Sequence, residues 1–283
     1  MKSGFVAIIG RSNVGKSTLL NSLVGSKIAI TTPKPQTTRQ PIQGVLTSDE
    51  GQIVFVDTPG IMQKAKDGLT QRLLQYAKDS LHDVDAIMYV VDPTRAIGDE
   101  EKQAFKLIEK STKPKLLVIN KVDDKEARLY IDYYRDLIPK FDAYAEVSAM
   151  TKKNLDVIPR WCFAQLKEGE FMYPEFQMTN LTNEEWMAEL IREKLFLRLR
   201  QEVPYSTHVK VNEIAVRENG NVYVDATIYT NAERYKPMII GRGGQGIKEI
   251  GQSTRRELEA VTGKKHYLAL KVEVDPNWAG QFE

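Results

Sequence analysis

Apolar residues come in short unbroken runs along the first part of the chain and in alternation or helical spacing along the last part. The runs at 5–9, 53–56, 85–92 and 116–119 carry β-branched and aromatic residues with few polar interruptions, the pattern of strands buried on both faces of a sheet. Val45-Leu46 begins another strand, joined to 53–56 through the tight Asp49-Glu50-Gly51 connection, and 144–147 is the last. Between them, 18–23, 70–80, 99–110 and 154–166 have helical spacing, and 61–68 is polar. Strands alternating with helices predict an α/β domain with a mostly parallel sheet and helices on both faces. Ligands of such sheets sit beyond the carboxyl ends of the strands.

The rhythm breaks after Lys167, where Gly169, Pro174 and scattered aromatics replace periodicity. This predicts a first domain at 1–168, a linker at 169–183 and a second domain at 184–283. Thr182 or Asn183 can cap a helix whose apolar face is Met187, Leu190, Ile191, Leu195 and Leu199, stopped by Pro204. Two strands follow at 209–217 and 222–230, joined by Asn219-Gly220 as a type I′ hairpin. Val209 and Val211 are out of phase with Ile214 and Val216, which predicts a bulge. A short helix at 232–239 leads to Gly241-Arg242-Gly243-Gly244, a helix with Ile247, Ile250, Leu258 and Val261 inward, and a strand at 267–274. The second domain is therefore α+β.

Composition narrows this little. The 283 residues are 42% hydrophobic and 28% charged with a formal net charge of +2, an ordinary globular balance that does not by itself announce nucleic acid. Cys162, the one cysteine, sits between Trp161 and Phe163 and reads as a buried, reduced thiol. His82, His208 and His266 show no metal spacing, and no apolar run reaches membrane-spanning length. The start shows no signal-peptide core, so a cytoplasmic protein is expected.

The chemistry stands at strand ends. The first strand runs into Gly10-Arg11-Ser12-Asn13-Val14-Gly15-Lys16-Ser17, with Thr18 opening the helix. A glycine, four variable positions and Gly-Lys-Ser between strand and helix make a phosphate cradle, because loop N–H groups and the helix N-terminus converge on one anion. Lys16 then reaches the β- and γ-phosphates and Ser17 ligates Mg²⁺. A threonine of the 31–39 loop can complete that shell. Asp57-Thr58-Pro59-Gly60 ends the next strand: Asp57 holds Mg²⁺ through water and the Gly60 backbone meets the γ-phosphate. Asn120-Lys121-Val122-Asp123 reads the base. Asp123 accepts from guanine N1–H and its amino group, which adenine cannot offer, and a buried carboxylate left unpaired would penalise ATP. Asn120 bonds base edges, the Lys121 stem covers the base, and after Ser148 the Ala149 N–H meets guanine O6.

These motifs, in this order, resemble the Ras-like P-loop GTPase superfamily. The resemblance implies that Thr37 and Thr38 belong to the first switch, with Thr38 as the Mg²⁺ ligand, and that 57–60 is the second. Ile61 stands where signalling members carry a water-orienting glutamine, so slow intrinsic hydrolysis is expected, with no side-chain general base. Some relatives with a hydrophobic residue there bind K⁺ through an asparagine of the phosphate loop, the position of Asn13. Lys16, Asn13 and Thr38 are then the groups expected to act in catalysis.

The order helix, two strands, two helices, strand around 241–244 resembles the type II KH domain. In that fold the Gly-X-X-Gly turn clamps an RNA backbone, which implies contacts from Arg234, Lys236, Ile240, Gly241, Arg242, Gly243, Gly244, Ile247 and Lys248. The two halves together resemble the Era family over nearly the whole chain. Ser12 departs from that family's usual proline, and Met150 from a common lysine. The resemblance implies a monomeric ribosome assembly factor using GTP/GDP and Mg²⁺, with K⁺ at Asn13. It would bind the 3′ end of 16S rRNA in the 30S subunit. Peripheral contact with the inner membrane is a trait of the family that nothing in this sequence requires. Two other readings are a signalling GTPase whose C-terminal domain binds a protein, and a GTP-driven RNA-processing enzyme. The latter lacks paired carboxylates or a histidine cluster beyond the GTP site.

Overall fold

The computed structural model describes residues 1–34, 37–60 and 75–278 and divides into two compact units, Met1–Asn180 and Leu181–Glu283. Ile61 and residues 70–74 of the helix expected at 70–80 lie outside the described residues; 75–79 are helical.

In the first unit β1 (Lys2–Ile9), β3 (Gly51–Asp57), β4 (Ala86–Val91), β5 (Lys115–Ile119) and β6 (Ala143–Glu146) are parallel, and β2 (Ile42–Ser48) adds an antiparallel edge. The order is β2-β3-β1-β4-β5-β6, with the short β7 (Lys167–Glu168) antiparallel to the start of β1. All residues of β3 and β4 are buried, as continuous apolar runs require in a covered sheet. The covering helices are α1 (Lys16–Val24), α2 (Asp99–Glu109), the short α3 (Ile131–Arg135) and α4 (Val157–Gln165). The spacing had not indicated α3. Helix α4 begins later than expected, because Asn154 adopts φ 58° and donates to the Glu146 carbonyl at 3.0 Å instead of entering the helix.

Residues 169–180, expected within a linker, are attached to this unit. The fully buried Gln52 accepts from the N–H groups of Met172 (2.9 Å) and Tyr173 (3.0 Å) and donates to the Tyr173 carbonyl (2.9 Å). The β2 edge is satisfied too: Val45 N–H donates to the Met178 carbonyl at 2.8 Å, and Gly44 bridges Thr179.

In the second unit α5 (Asn183–Arg198) starts with a reciprocal cap. Thr182 Oγ1 accepts from Glu185 N–H (3.2 Å), and Glu185 accepts from Thr182 N–H (2.8 Å). Strands β8 (Thr207–Val216) and β9 (Val222–Thr230) are antiparallel, with the bulge between Val211 and Glu213. Strand β10 (His266–Val274) is parallel to β9, in the order β10-β9-β8. Val222, Val224, Ala226 and Ile228 share a core with Leu190, Ile191 and Leu195 of α5, Ile239 of α6 (Lys236–Ile240), and Ile250 and Leu258 of α7 (Gln245–Thr262). Two expectations are corrected. The hairpin is not type I′, because Gly220 has φ 79° while Asn219 is not at positive φ, and the Gly220 N–H donates to Arg217. Val261 is 46% exposed, since the buried row of α7 steps by four through Gly246, Ile250, Thr254 and Leu258 and Val261 lies off it.

Candidate functional site

The cradle forms where β1 turns into α1. Gly10 packs so closely on β4 that a Cβ there would lie 2.4 Å from the Val90 carbonyl. Gly15 has φ 95° and caps α1, and a Cβ there would meet Asn120 Nδ2 at 2.4 Å. Lys16 is buried, and its ammonium donates to the carbonyls of Gly10 (3.1 Å) and Arg11 (3.0 Å). Burial holds this ammonium below the usual lysine range, only partly offset by the charges of Asp57 and Glu101. Ser12, Asn13, Gly15, Lys16, Ser17, Thr18, Thr37, Thr38 and Gly60 line one cavity. Val14 is fully buried beneath the loop.

Three oxygen-bearing side chains converge at its edge. Ser17 Oγ donates to Asp57 Oδ2 at 2.6 Å and lies 3.3 Å from Thr38 Oγ1. Thr37 instead donates to the Lys34 carbonyl (3.0 Å), so Thr38 rather than Thr37 faces Ser17. Asp57 is fully buried, and its Oδ1 has no partner among the described residues. Burial raises its carboxyl above the usual range, with Lys16, Ser17 and Thr38 offsetting part of the rise. Two hydroxyls and a carboxylate with an orphaned oxygen are a hard-oxygen set suited to Mg²⁺. Thr58 Oγ1 donates to the Ile8 carbonyl at 2.9 Å, and Pro59 is buried, which fixes the end of β3. Gly60 then touches the cradle: a Cβ there would lie 2.8 Å from Ser12 Cα.

The base-reading loop is built differently from expectation in its details. Asn120 donates to the Val14 carbonyl (2.9 Å) and accepts from Ala149 N–H (3.0 Å), so it joins cradle and base loop. The Ala149 N–H expected to face guanine O6 is thus engaged by Asn120, while its carbonyl accepts from Ser22 of α1 (2.8 Å). Lys121, at φ 62°, donates to Asn13 O (2.9 Å) and Asp92 Oδ2 (2.6 Å). Burial pushes the Asp92 carboxyl up, but Lys121 and Thr94 outweigh it and hold it below the usual range. Ser148 is buried and accepts from Thr151 N–H at 3.0 Å. Asp123 is exposed rather than buried, so a penalty against adenine arises only once a base covers it. Asn13 Nδ2 donates to the Pro33 carbonyl at 2.7 Å, tying the cradle to the first-switch loop.

One functional group was not visible in the sequence. Arg11 keeps only its backbone in the cradle. Its side chain runs under β4 and α2, where Nε forms an ion pair with Glu101 Oε2 at 3.1 Å and Nη1 donates to the Ala96 carbonyl at 2.9 Å. Tyr134 donates to Glu101 Oε2 (3.1 Å) and Tyr89 to Glu101 Oε1. Glu101 lies on the first turn of α2, and local spacing gives such a residue to solvent; only the tertiary fold buries it.

In the second unit the Gly-X-X-Gly turn joins α6 to α7. Gly241 has φ 74°, and a Cβ there would lie 2.7 Å from Gly246 N, so the turn allows the two helices to meet closely. Gly243 (φ 59°) and Gly244 (φ 77°) face open space. Arg242, Gly243 and Lys248 are exposed; Lys236, Ile240, Gly241, Gly244 and Ile247 are half-buried. Arg234 is exposed but folds back over the Tyr235 ring, its guanidinium 4.7 Å from the centroid.

Known proteins share both units. The model of the 50S ribosome-binding GTPase family matches residues 5–121, and that of the KH domain matches 202–279. GTPase Era of Carboxydothermus hydrogenoformans is 44% identical over 281 residues, 98% of this chain and 94% of that protein. The chain belongs to the Era family of GTPases. GTPase Era of Halothermothrix orenii is 40% identical over 98% of this chain and 94% of its own length. A crystal structure of a variant of Aquifex aeolicus Era bound to GDP and AlF4⁻ superimposes with TM-score 0.90 at 39% identity, covering 98% of this chain and 95% of that one. A structure of Era with MgGDPNP and nucleotides 1506–1542 of 16S ribosomal RNA matches with the same score, identity and coverage. As an Era-family member this chain is a GTPase with a C-terminal KH domain. No helix among its described residues is long and apolar enough to cross a membrane.

Proposed function

We propose that the first unit binds GTP and Mg²⁺ in the cradle and that the second holds the 3′ end of 16S rRNA, so that nucleotide state governs attachment during 30S assembly. The observation that carries this reading is the convergence of Ser17, Thr38 and the orphaned Asp57 oxygen beside Lys16. The backbone N–H groups of 13–17 and Thr18 hold the α- and β-phosphates, and Lys16 leaves its loop carbonyls to take the β- and γ-phosphates. Asp123 and Asn120 select guanine, with Lys121 and the Ser148-Ala149 loop supporting them. Ser17 and Thr38 would ligate Mg²⁺, with Asp57 acting through water. The ion supplies charge neutralisation between the phosphates. Asn13 offers a side-chain oxygen for K⁺ at the rim, where that cation would add positive charge in the place of an arginine finger. Equal turnover in K⁺ and Na⁺ buffers would remove that assignment.

Ile61 has no group to orient water, so intrinsic turnover is slow. Hydrolysis releases Thr38 and Gly60 from the terminal phosphate. Arg242, Lys248, Arg234 and Lys236 meet RNA phosphates at the turn, while Ile240 and Ile247 meet bases. The Era structure that holds both MgGDPNP and the rRNA fragment supports a nucleotide site and an RNA site in one chain. Because binding is linked, RNA changes nucleotide affinity by the factor that nucleotide changes RNA affinity. The protein acts as a cytoplasmic monomer, where ribosomes assemble. The test is crosslinking of the nucleotide-bound protein to RNA, with sequencing of what is bound. Crosslinks at 241–244 to the 3′ end of 16S rRNA are expected. Equal RNA affinity with GDP and a non-hydrolysable GTP analogue contradicts the switch.

A further inference from the structure

Ser12 places a hydroxyl in the cradle that no group among the described residues satisfies. The residue is 6% exposed, and its Oγ has no hydrogen-bond partner among the described residues. Buried hydroxyls are nearly always paired, and leaving one unpaired destabilises the fold unless a ligand completes it. This one lines the same cavity as Lys16, Ser17, Thr38 and Gly60. Its position along the cavity is specific. Gly60 packs onto Ser12: a Cβ on Gly60 would lie 3.1 Å from Ser12 Oγ and 3.0 Å from Ser12 N. Ser12 therefore lines the cavity on the side of Gly60, the residue read as the γ-phosphate contact, and shares that cavity with Lys16. Asp57 Oδ1, the other orphaned oxygen of this site, can only accept and fits a cation, whereas the Ser12 hydroxyl can donate and fits a phosphate oxygen.

We propose that Ser12 Oγ donates a hydrogen bond to an oxygen of the γ-phosphate and so makes Ser12 a determinant of GTP-over-GDP discrimination. The inference rests on the reading of the cradle as a GTP site. A hydroxyl donating to a phosphate oxygen forms a charge-assisted bond, stronger than one between neutral groups. GDP offers no oxygen at that place and leaves the hydroxyl unpaired.

The experiment measures equilibrium affinities of the full-length protein for GDP and for an imido analogue of GTP, both with Mg²⁺, in wild type and Ser12→Ala. Loss of the hydroxyl should weaken the analogue by about tenfold, the lower end of what a hydrogen bond to a charged group contributes, while GDP stays within about twofold. The nucleotide-free melting temperature of Ser12→Ala should be no lower than that of wild type, because an unpaired buried hydroxyl has been removed. An unchanged analogue-to-GDP ratio overturns the proposal, as do equal losses for both nucleotides or a less stable nucleotide-free variant. Wild-type protein that binds neither nucleotide would overturn the reading of the cradle as well, which separates that failure from the others.

Discussion

Changing Glu101 to glutamine isolates the contact that anchors the phosphate loop from below. Arg11 and Glu101 are 4% and 2% exposed, and their ion pair is held by two tyrosine hydroxyls on the carboxylate and the Ala96 carbonyl on the guanidinium. Glutamine keeps the shape and one acceptor oxygen but leaves Arg11 as a buried cation without its counter-charge. Breaking one partner of a buried pair costs about 3–5 kcal/mol. Arg11 retains the Ala96 carbonyl at 2.9 Å, which places this case near the low end, about 3 kcal/mol. For a unit of this size each kcal/mol lowers the melting point by about 2–4 °C, so a drop of about 6–12 °C is expected. Calorimetry of the nucleotide-free full-length protein reads it in the transition of the first unit. Arg11→Met combined with Glu101→Leu removes both charges and should recover part of the loss, since the desolvation penalty disappears with them. A Glu101→Gln protein within about 1 kcal/mol of wild type refutes the account, because a buried guanidinium cannot lose its counter-charge at so small a cost. So does a double variant less stable than the single one.

Gly15→Ala places a Cβ at φ 95° and 2.4 Å from Asn120 Nδ2, so it should push Asn120 off the Val14 carbonyl and weaken guanine nucleotide binding by at least about tenfold in a fluorescent-GDP titration. In the second unit the two ends of the turn should behave oppositely in RNA-binding and melting assays. Arg242→Asp with Lys248→Asp reverses the charge at two exposed positions and should abolish RNA binding with the fold intact, whereas Gly241→Ala, at φ 74°, meets the Gly246 backbone at 2.7 Å and should destabilise the unit. The Asp92 carboxyl, held below its ordinary value of 3.8 once Lys121 and Thr94 outweigh burial, contributes stability that is present above that value and lost as pH falls through the lower folded one. Asp92→Asn should flatten the stability-versus-pH curve below about pH 4 in denaturant titrations.

The sequence alone was sufficient for most of the strands and helices of both units. Unbroken apolar runs marked the strands of the parallel sheet, and alternation marked β9. The bulge in β8 showed as a phase slip, and the chemical residues stood at strand ends because the glycines and carboxylates there are adjacent in the chain. Even Thr38, chosen over Thr37 through resemblance, is the threonine that lies beside Ser17. What tertiary structure decided is every contact between segments distant in sequence. Arg11 looked like a loop residue and is the partner of Glu101; Ala149 looked like a base contact and is held by Asn120; residues 172–173 looked like linker and complete the buried amide of Gln52. Val261 looked inward and faces out. Periodicity specifies which face of an element is apolar, since it arises from the geometry of one segment. It carries no information about which distant group will satisfy a buried charge or amide, because that depends on where the completed sheet and its helices bring the two together.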